Sequence, residues 1–191
     1  KQVSLDLGAG VLYKGDFGKT RFLSQNGCYN IEVAEHKKIR HLSNNLHSIP
    51  AIRCVIQWKP GVLLVGSLGG LYVVFEKTGI VEQLPFVAEG IMALFKDKDG
   101  LIWIGMGEKM QVIKLGQDLA VSSIASFEQT GMINQIAPDL LDDNKVWAAT
   151  SNGLLQFKIS DWSSQRIKEI NGFVHSLVPD SSGRIWMGTN K

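Results

Sequence analysis

Asp180-Ser181-Ser182-Gly183-Arg184-Ile185-Trp186-Met187-Gly188-Thr189 lies near the end of the chain, and Asp97-Lys98-Asp99-Gly100-Leu101-Ile102-Trp103-Ile104-Gly105 repeats its pattern position for position. Each is preceded by a short apolar run, Val174-His175-Ser176-Leu177 in one case and Ile91-Met92-Ala93-Leu94 in the other. The Asp side chain can accept from the backbone N–H two residues on, and Gly at the fourth place suits a type I turn. Each stretch therefore reads as two strands joined by a tight turn.

Working outward, two more copies emerge. Ile52 to Val55, Pro60-Gly61 and Leu63-Leu64-Val65-Gly66-Ser67 form one; Ile133 to Ile136, Asp139 and Val146-Trp147-Ala148-Ala149-Thr150 form another, with residues inserted in its turn. A degenerate copy opens the chain, from Val11 through Asp16-Phe17-Gly18 to Asn26-Gly27, which mimics Asn152-Gly153. The period is about 40 residues, the signature of a solenoid or a propeller.

What fills the period decides between them. After the hairpin comes a brief connection, then a third run such as Gly70-Leu71-Tyr72-Val73-Val74-Phe75 or Gly153-Leu154-Leu155-Gln156-Phe157. A weaker fourth run closes the copies: Val81-Glu82-Gln83-Leu84, Ala120-Val121-Ser122-Ser123-Ile124 and Arg166-Ile167-Lys168-Glu169-Ile170. These are strand lengths and strand residues. The second runs, Val62-Leu63-Leu64-Val65 and Leu101-Ile102-Trp103-Ile104, are apolar on consecutive residues and would bury both faces of a strand. Sheets stacked between neighbours need that. The pattern predicts an all-β fold, a partial β-propeller of about four to five four-stranded blades. Approximate blade boundaries are 1–48, 49–88, 89–130, 131–171 and, incomplete, 172–191. Trp103, Trp147 and Trp186 are expected between blades, each indole N–H meeting a buried acceptor.

The chain has 191 residues, 45% hydrophobic and 20% charged, a globular composition without a linker or low-complexity segment. No apolar stretch reaches the roughly 18 residues of a membrane span, so no membrane contact by this stretch is expected. The chain begins at Lys1 and ends at Thr189-Asn190-Lys191, immediately after the second strand of the last copy, where a blade is incomplete. The expectation is a piece of a longer protein, its missing strands coming from sequence outside it or from a partner chain, with pairing to a second copy as a homodimer one route. The formal charge is +2, and the only basic cluster, His36-Lys37-Lys38-Ile39-Arg40-His41, reads as a solvated hairpin; no nucleic-acid partner is expected. Cys28 and Cys54 occupy non-equivalent places in different copies, with no CxxC spacing, and are expected as unpaired thiols.

The recurrence of Asp-x-x-Gly, an apolar residue, Trp, an apolar residue, Gly and Thr resembles the two-component regulator propeller repeat, with residues 180–189 the best copy and the pattern extending back to Ile52. Trp58 stands where the turn Asp is expected, Leu64 replaces the Trp, Ala149 replaces the Gly, and Met106-Gly107-Glu108-Lys109-Met110 replaces the usual Thr-x-x-Gly-Leu. The resemblance implies the extracytoplasmic, periplasmic sensor part of a membrane-bound signalling protein, such as a hybrid histidine kinase or a diguanylate cyclase. Its implied partners are a small-molecule or oligosaccharide ligand, or a partner protein.

The motifs of catalysis are missing: no Gly-x-Ser-x-Gly, no His-Glu-x-x-His, no phosphate-cradling glycine loop and no metal-binding histidine motif, so neither a cofactor nor a metal is expected. Asp142-Asp143 reads as solvated turn. His175 occupies a place held by Arg53, Met92 and Asn134 in the other copies, on first strands that a propeller gathers around one channel. Variation there suits recognition. The candidate ligand-binding residues are Arg53, Glu89, Asn134 and His175. The loops at residues 88–90 and 128–131, with the connections at 106–109 and 151–152, are expected to open on one rim, where a rigid scaffold presents its contacts. Trp162, outside the repeated motif, is a candidate exposed contact. The alternative is a propeller lyase or hydrolase acting on a polysaccharide or cyclic peptide, with His175 and Glu89 or Glu128 as its acid–base groups.

Overall fold

A computed structural model describes residues 10–14, 19–25, 27–31, 39–43, 46–85 and 90–190. Residues 16–18, Asn26, residues 36–38, Ala88 and Glu89, each invoked above, lie outside them. All regular structure among the described residues is β-strand.

The chain forms two compact units, Lys1–Gly90 and Ile91–Lys191. In the first, β1 (Gly10–Lys14), β2 (Thr20–Ser24), β3 (Gly27–Ile31) and β4 (Ile39–Ser43) make one sheet, and β5 (Ile52–Lys59), β6 (Val62–Ser67), β7 (Gly70–Phe75) and β8 (Val81–Gln83) a second. In the second unit, β9 (Ile91–Lys96), β10 (Ile102–Met106), β11 (Lys109–Leu115) and β12 (Val121–Phe127) make a third sheet, and β13 (Ile133–Pro138), β14 (Lys145–Thr150), β15 (Gly153–Lys158) and β16 (Ser163–Arg166) a fourth. A two-stranded sheet of β17 (Val174–Pro179) and β18 (Ile185–Thr189) follows. Each strand pairs antiparallel with its sequence neighbour, and the first strands of successive sheets lie side by side, β1 with β5 and β9 with β13 with β17. Such meanders, stacked through their faces, are the blades of a β-propeller.

The consecutive apolar runs are buried throughout: every described residue of β6 and of β10 lies inside. The fourth strands β8, β12 and β16, by contrast, are largely exposed edges. In the first unit Tyr13, Leu23, Leu63, Val65, Tyr72 and Val74 form one core; in the second, Trp103, Met110, Ile133, Ile136 and Phe157 form another, and Ala149, Leu154, Val174 and Leu177 a third. Gly105 shows how tightly the sheets stack, because a Cβ there would lie 2.7 Å from Cγ2 of Ile133 in the next sheet.

The first unit also buries a polar cluster. Arg21 Nη1 donates to both carboxylate oxygens of Glu76, at 2.7 and 2.8 Å, and the Tyr13 hydroxyl donates to Glu76 Oε1 at 3.0 Å while lying 3.1 Å from Cys28 Sγ. This ties β1 and β2 to the end of β7. Burial pushes the Cys28 thiol up to about 11. Neither cysteine is paired; the Cys54 thiol is shielded although its residue is only half-buried, and burial pushes it up to about 12.

Three expectations need correction. Trp103 is fully buried and Trp147 half-buried, but Trp186 is 58% exposed, since no described strand packs over the outer face of β18. Trp162 is no exposed contact: at φ 52° in the β15–β16 turn, it packs into the core 6.0 Å from the Trp103 ring. The fourth strand of the fourth sheet runs Ser163–Arg166 rather than from Arg166 to Ile170, because Ile167 and Ile170 turn inward to pack beside Leu154 and Val174.

Candidate functional site

Strand alternation gives every sheet two ends with different tasks. At one end sit the turns of the repeated motif. Asp97 Oδ1 accepts from the N–H of Asp99 at 3.0 Å and of Leu101 at 2.8 Å, and its Oδ2 accepts the Trp103 indole N–H at 2.9 Å. Asp139 does the same for Leu141, Asp142 and Trp147, and Asp180 for Ser182, Arg184 and Trp186. One carboxylate thus fixes the turn and locks the indole. At Asp180 the Ser182 hydroxyl and the Arg184 side chain hold the carboxyl well below the usual carboxylate range. These are structural clamps.

The other end carries the connections expected to form a rim. In the second unit they are laced together: Thr130 N–H donates to Glu108 O at 3.0 Å, Ser151 N–H to Met132 O at 2.9 Å, and Met132 N–H to Ser151 Oγ at 3.0 Å. Arg166, reaching in from β16, donates to the carbonyls of both Thr130 and Asn152. Lys109 and Glu128 pair at 3.0 Å above them. Gly153, at φ 107°, lets the β14–β15 connection press against the Ile170 carbonyl, which a Cβ would meet at 2.2 Å. The result is a firm polar rim on a scaffold of strands.

The four candidate residues fall as follows. Arg53 is exposed on β5 of the first unit. Glu89 lies outside the described residues. Asn134, half-buried on β13, donates through Nδ2 to the Val174 carbonyl at 2.7 Å, so its amide faces the neighbouring strand. His175 is exposed on β17, hydrogen-bonded through Nε2 to Asn190 Oδ1 and packed 4.4 Å from the Phe173 ring. Asn134 and His175 are therefore brought to adjoining strands near the same end of their sheets.

Sequence reasoning passed over three residues of this region: Gln135, Arg166 and Asn190. Gln135 donates to Leu177 O at 3.0 Å and accepts from Leu177 N–H at 2.9 Å, using its amide as a strand would use its backbone. The signal was present, because the equivalent places hold Cys54, Ala93 and Ser176, none of which can do this. Among the described residues no group of three or more His, Cys, Asp or Glu is arranged to hold a metal ion.

Residues 168–191 match the two component regulator propeller family. No curated protein matches the chain. Among solved structures it is similar to the extracellular domain of a hybrid two-component system from B. thetaiotaomicron, at 21% identity and TM-score 0.67 over 94% of this chain and 25% of that one. A second such domain from the same organism matches at 20% identity and TM-score 0.68, over 99% of this chain and 27% of that one. The chain thus spans about a quarter of the length of those two chains. Virginiamycin B lyase from Staphylococcus aureus is also similar, at 14% identity and TM-score 0.67 over 96% of this chain and 64% of that one. At these identities the likeness establishes the propeller fold, on which sensor domains and enzymes alike are built.

Proposed function

We propose that this chain belongs to the extracytoplasmic, periplasmic sensor region of a transmembrane signalling protein of two-component type. It acts by binding a small-molecule or oligosaccharide ligand, or a partner protein, on the laced rim and the first strands beneath it, without turnover. The observation that carries the reading is the repeat itself, clamp and all, at residues 168–191. The likeness to two extracellular domains of two-component systems supports the location. A preformed polar rim beside His175 suits recognition of a hydroxyl-rich ligand.

The test has two arms. Alkaline phosphatase fused into the full-length protein after residue 190 is expected to be active, as an extracytoplasmic position requires. Inactivity there, with a green fluorescent fusion that lights up instead, overturns the location. An oligosaccharide panel is expected to contain a member that raises the melting temperature of the chain, an effect that His175→Ala reduces.

A second reading, a lyase or hydrolase acting on a polysaccharide or cyclic peptide, is favoured by the likeness to virginiamycin B lyase and by the exposure of His175. Incubation with a cyclic peptide and mass spectrometry tests it. A product that the wild type forms and His175→Ala does not would replace the sensor reading.

A further inference from the structure

In the first unit the turn from β5 to β6 and the connection from β7 to β8 lie at the same end of their sheet and enclose a notch of about 370 Å³. Pro60, Val62, Phe75 and Ile80 wall it, and Lys77 and Thr78 stand at its edge. A volume in the range of about 300–1,000 Å³ is that of small-molecule sites.

The walls differ from those of the third and fourth sheets. Val62 and Phe75 face each other across β6 and β7. The same register position in the fourth sheet is Lys145 opposite Lys158, and in the third Lys114 stands opposite Leu101, one place beyond the Ile102–Ile113 pair. Where those sheets carry lysine at this place, this one carries a half-buried ring beside a buried branched chain. Ile80 leaves 52% of its surface exposed beside them. The apolar pair therefore serves no requirement of the repeat.

The notch is also held in shape. Gly79 N–H donates to Phe75 O at 2.8 Å, Phe75 N–H to Ile80 O at 3.0 Å, and Ile80 N–H to Thr78 Oγ1 at 3.3 Å. Its electrostatics are one-sided. Glu76, beside it in sequence, turns inward and is neutralised by Arg21, so no carboxylate lines the notch. Lys77 is exposed and has no ion-pair partner among the described residues. Lys59, next to Pro60, rests its ammonium 4.1 Å from the Trp58 ring centre. Apolar walls with one lysine, Lys77, at their edge fit one chemistry.

The geometry points to this notch as a binding site for a small amphiphilic carboxylate, its aryl or short alkyl group seated on Phe75 and Ile80 and its carboxylate at Lys77. The site lies at the opposite end of its sheet from the β6–β7 connection and is independent of the rim, so failure of either leaves the other standing.

Isothermal titration of the whole chain with 4-phenylbutyrate, and separately with uncharged 4-phenylbutanamide, tests it. The carboxylate is expected to bind saturably and the amide about 3-fold more weakly, the scale of one exposed charge pair. Lys77→Gln should erase that difference. Phe75→Lys, which installs the residue of the fourth sheet, and Ile80→Glu, at an exposed place where folding is not at stake, should each weaken binding at least about 10-fold, the scale of one buried apolar side chain. Absence of saturable heat up to ~10 mM carboxylate overturns the site. So does unchanged affinity in Ile80→Glu, while equal affinity for acid and amide in the wild type overturns the carboxylate.

Discussion

At Asp97 one carboxylate satisfies two backbone N–H groups and a fully buried indole, so its removal orphans three donors at once. Asp97→Ala is expected to cost about 3 kcal/mol in denaturant unfolding, the scale of buried donors left unpaired. Asp180→Ala, whose indole stands in water, should cost distinctly less, and equal losses would show that the turn rather than the buried indole sets the penalty. The clamp also explains a paired departure: the sheet that has Trp58 at the Asp position has Leu64 at the Trp position, and a leucine needs no acceptor. The sequence showed both halves of this device; what it did not show was that one side chain serves both. The thiols supply a second residue-scale outcome. Burial raises Cys54 from 9.0 to about 12 and Cys28 to about 11, so above pH 9 the unfolded chain releases protons that the folded chain keeps. Stability is therefore complete below pH 9 and declines as pH rises from there towards 12. Unfolding measured at about pH 8 and about pH 10.5 should show a smaller decline for Cys54→Ala than for the wild type.

Neighbouring elements are joined by few but specific contacts. Between β13 and β17 the Gln135 amide makes a two-way hydrogen bond with the Leu177 backbone, replacing a ladder that the two strands do not otherwise share. Gln135→Ala should cost about 1–2 kcal/mol and speed amide exchange at Leu177, because a backbone N–H and C=O lose their partner together. Unchanged exchange at Leu177 would refute the role. Strand existence was legible wherever apolar residues ran consecutively, as in β6 and β10, since only a strand covered on both faces tolerates them. The fourth strands were less legible. Ile167 and Ile170 have strand chemistry but pack into a core from the connection, whereas Ser163, Ser164 and Gln165 form the strand because a solvated edge asks little of its side chains.

For the molecule as a whole, the repeat dictated the all-β fold and the end of each sheet at which rim loops gather, because both follow from alternation of strand direction. The surroundings of the candidate binding residues were harder to read. Asn134 engages the next strand and His175 meets Asn190, contacts set by spatial neighbours far apart in sequence. The indoles show the same dependence on surroundings. Trp103 and Trp186 hold equivalent places in the repeat, yet one is fully buried and the other 58% exposed, with the Arg184 guanidinium 5.4 Å from its ring centre. Val178, its register partner on β17, is 61% exposed as well. Trp103→Ala should therefore cost about 3–5 kcal/mol, as a large core truncation does. Trp186→Lys should change stability by no more than about 0.5 kcal/mol, as at an ordinary surface place. Denaturant unfolding checks both, with the difference in acrylamide quenching between the wild type and Trp186→Lys as a reading of that indole's exposure. A large loss on Trp186→Lys, with poor quenching, would mean that this face is covered in solution, and sedimentation would then test whether a second copy covers it.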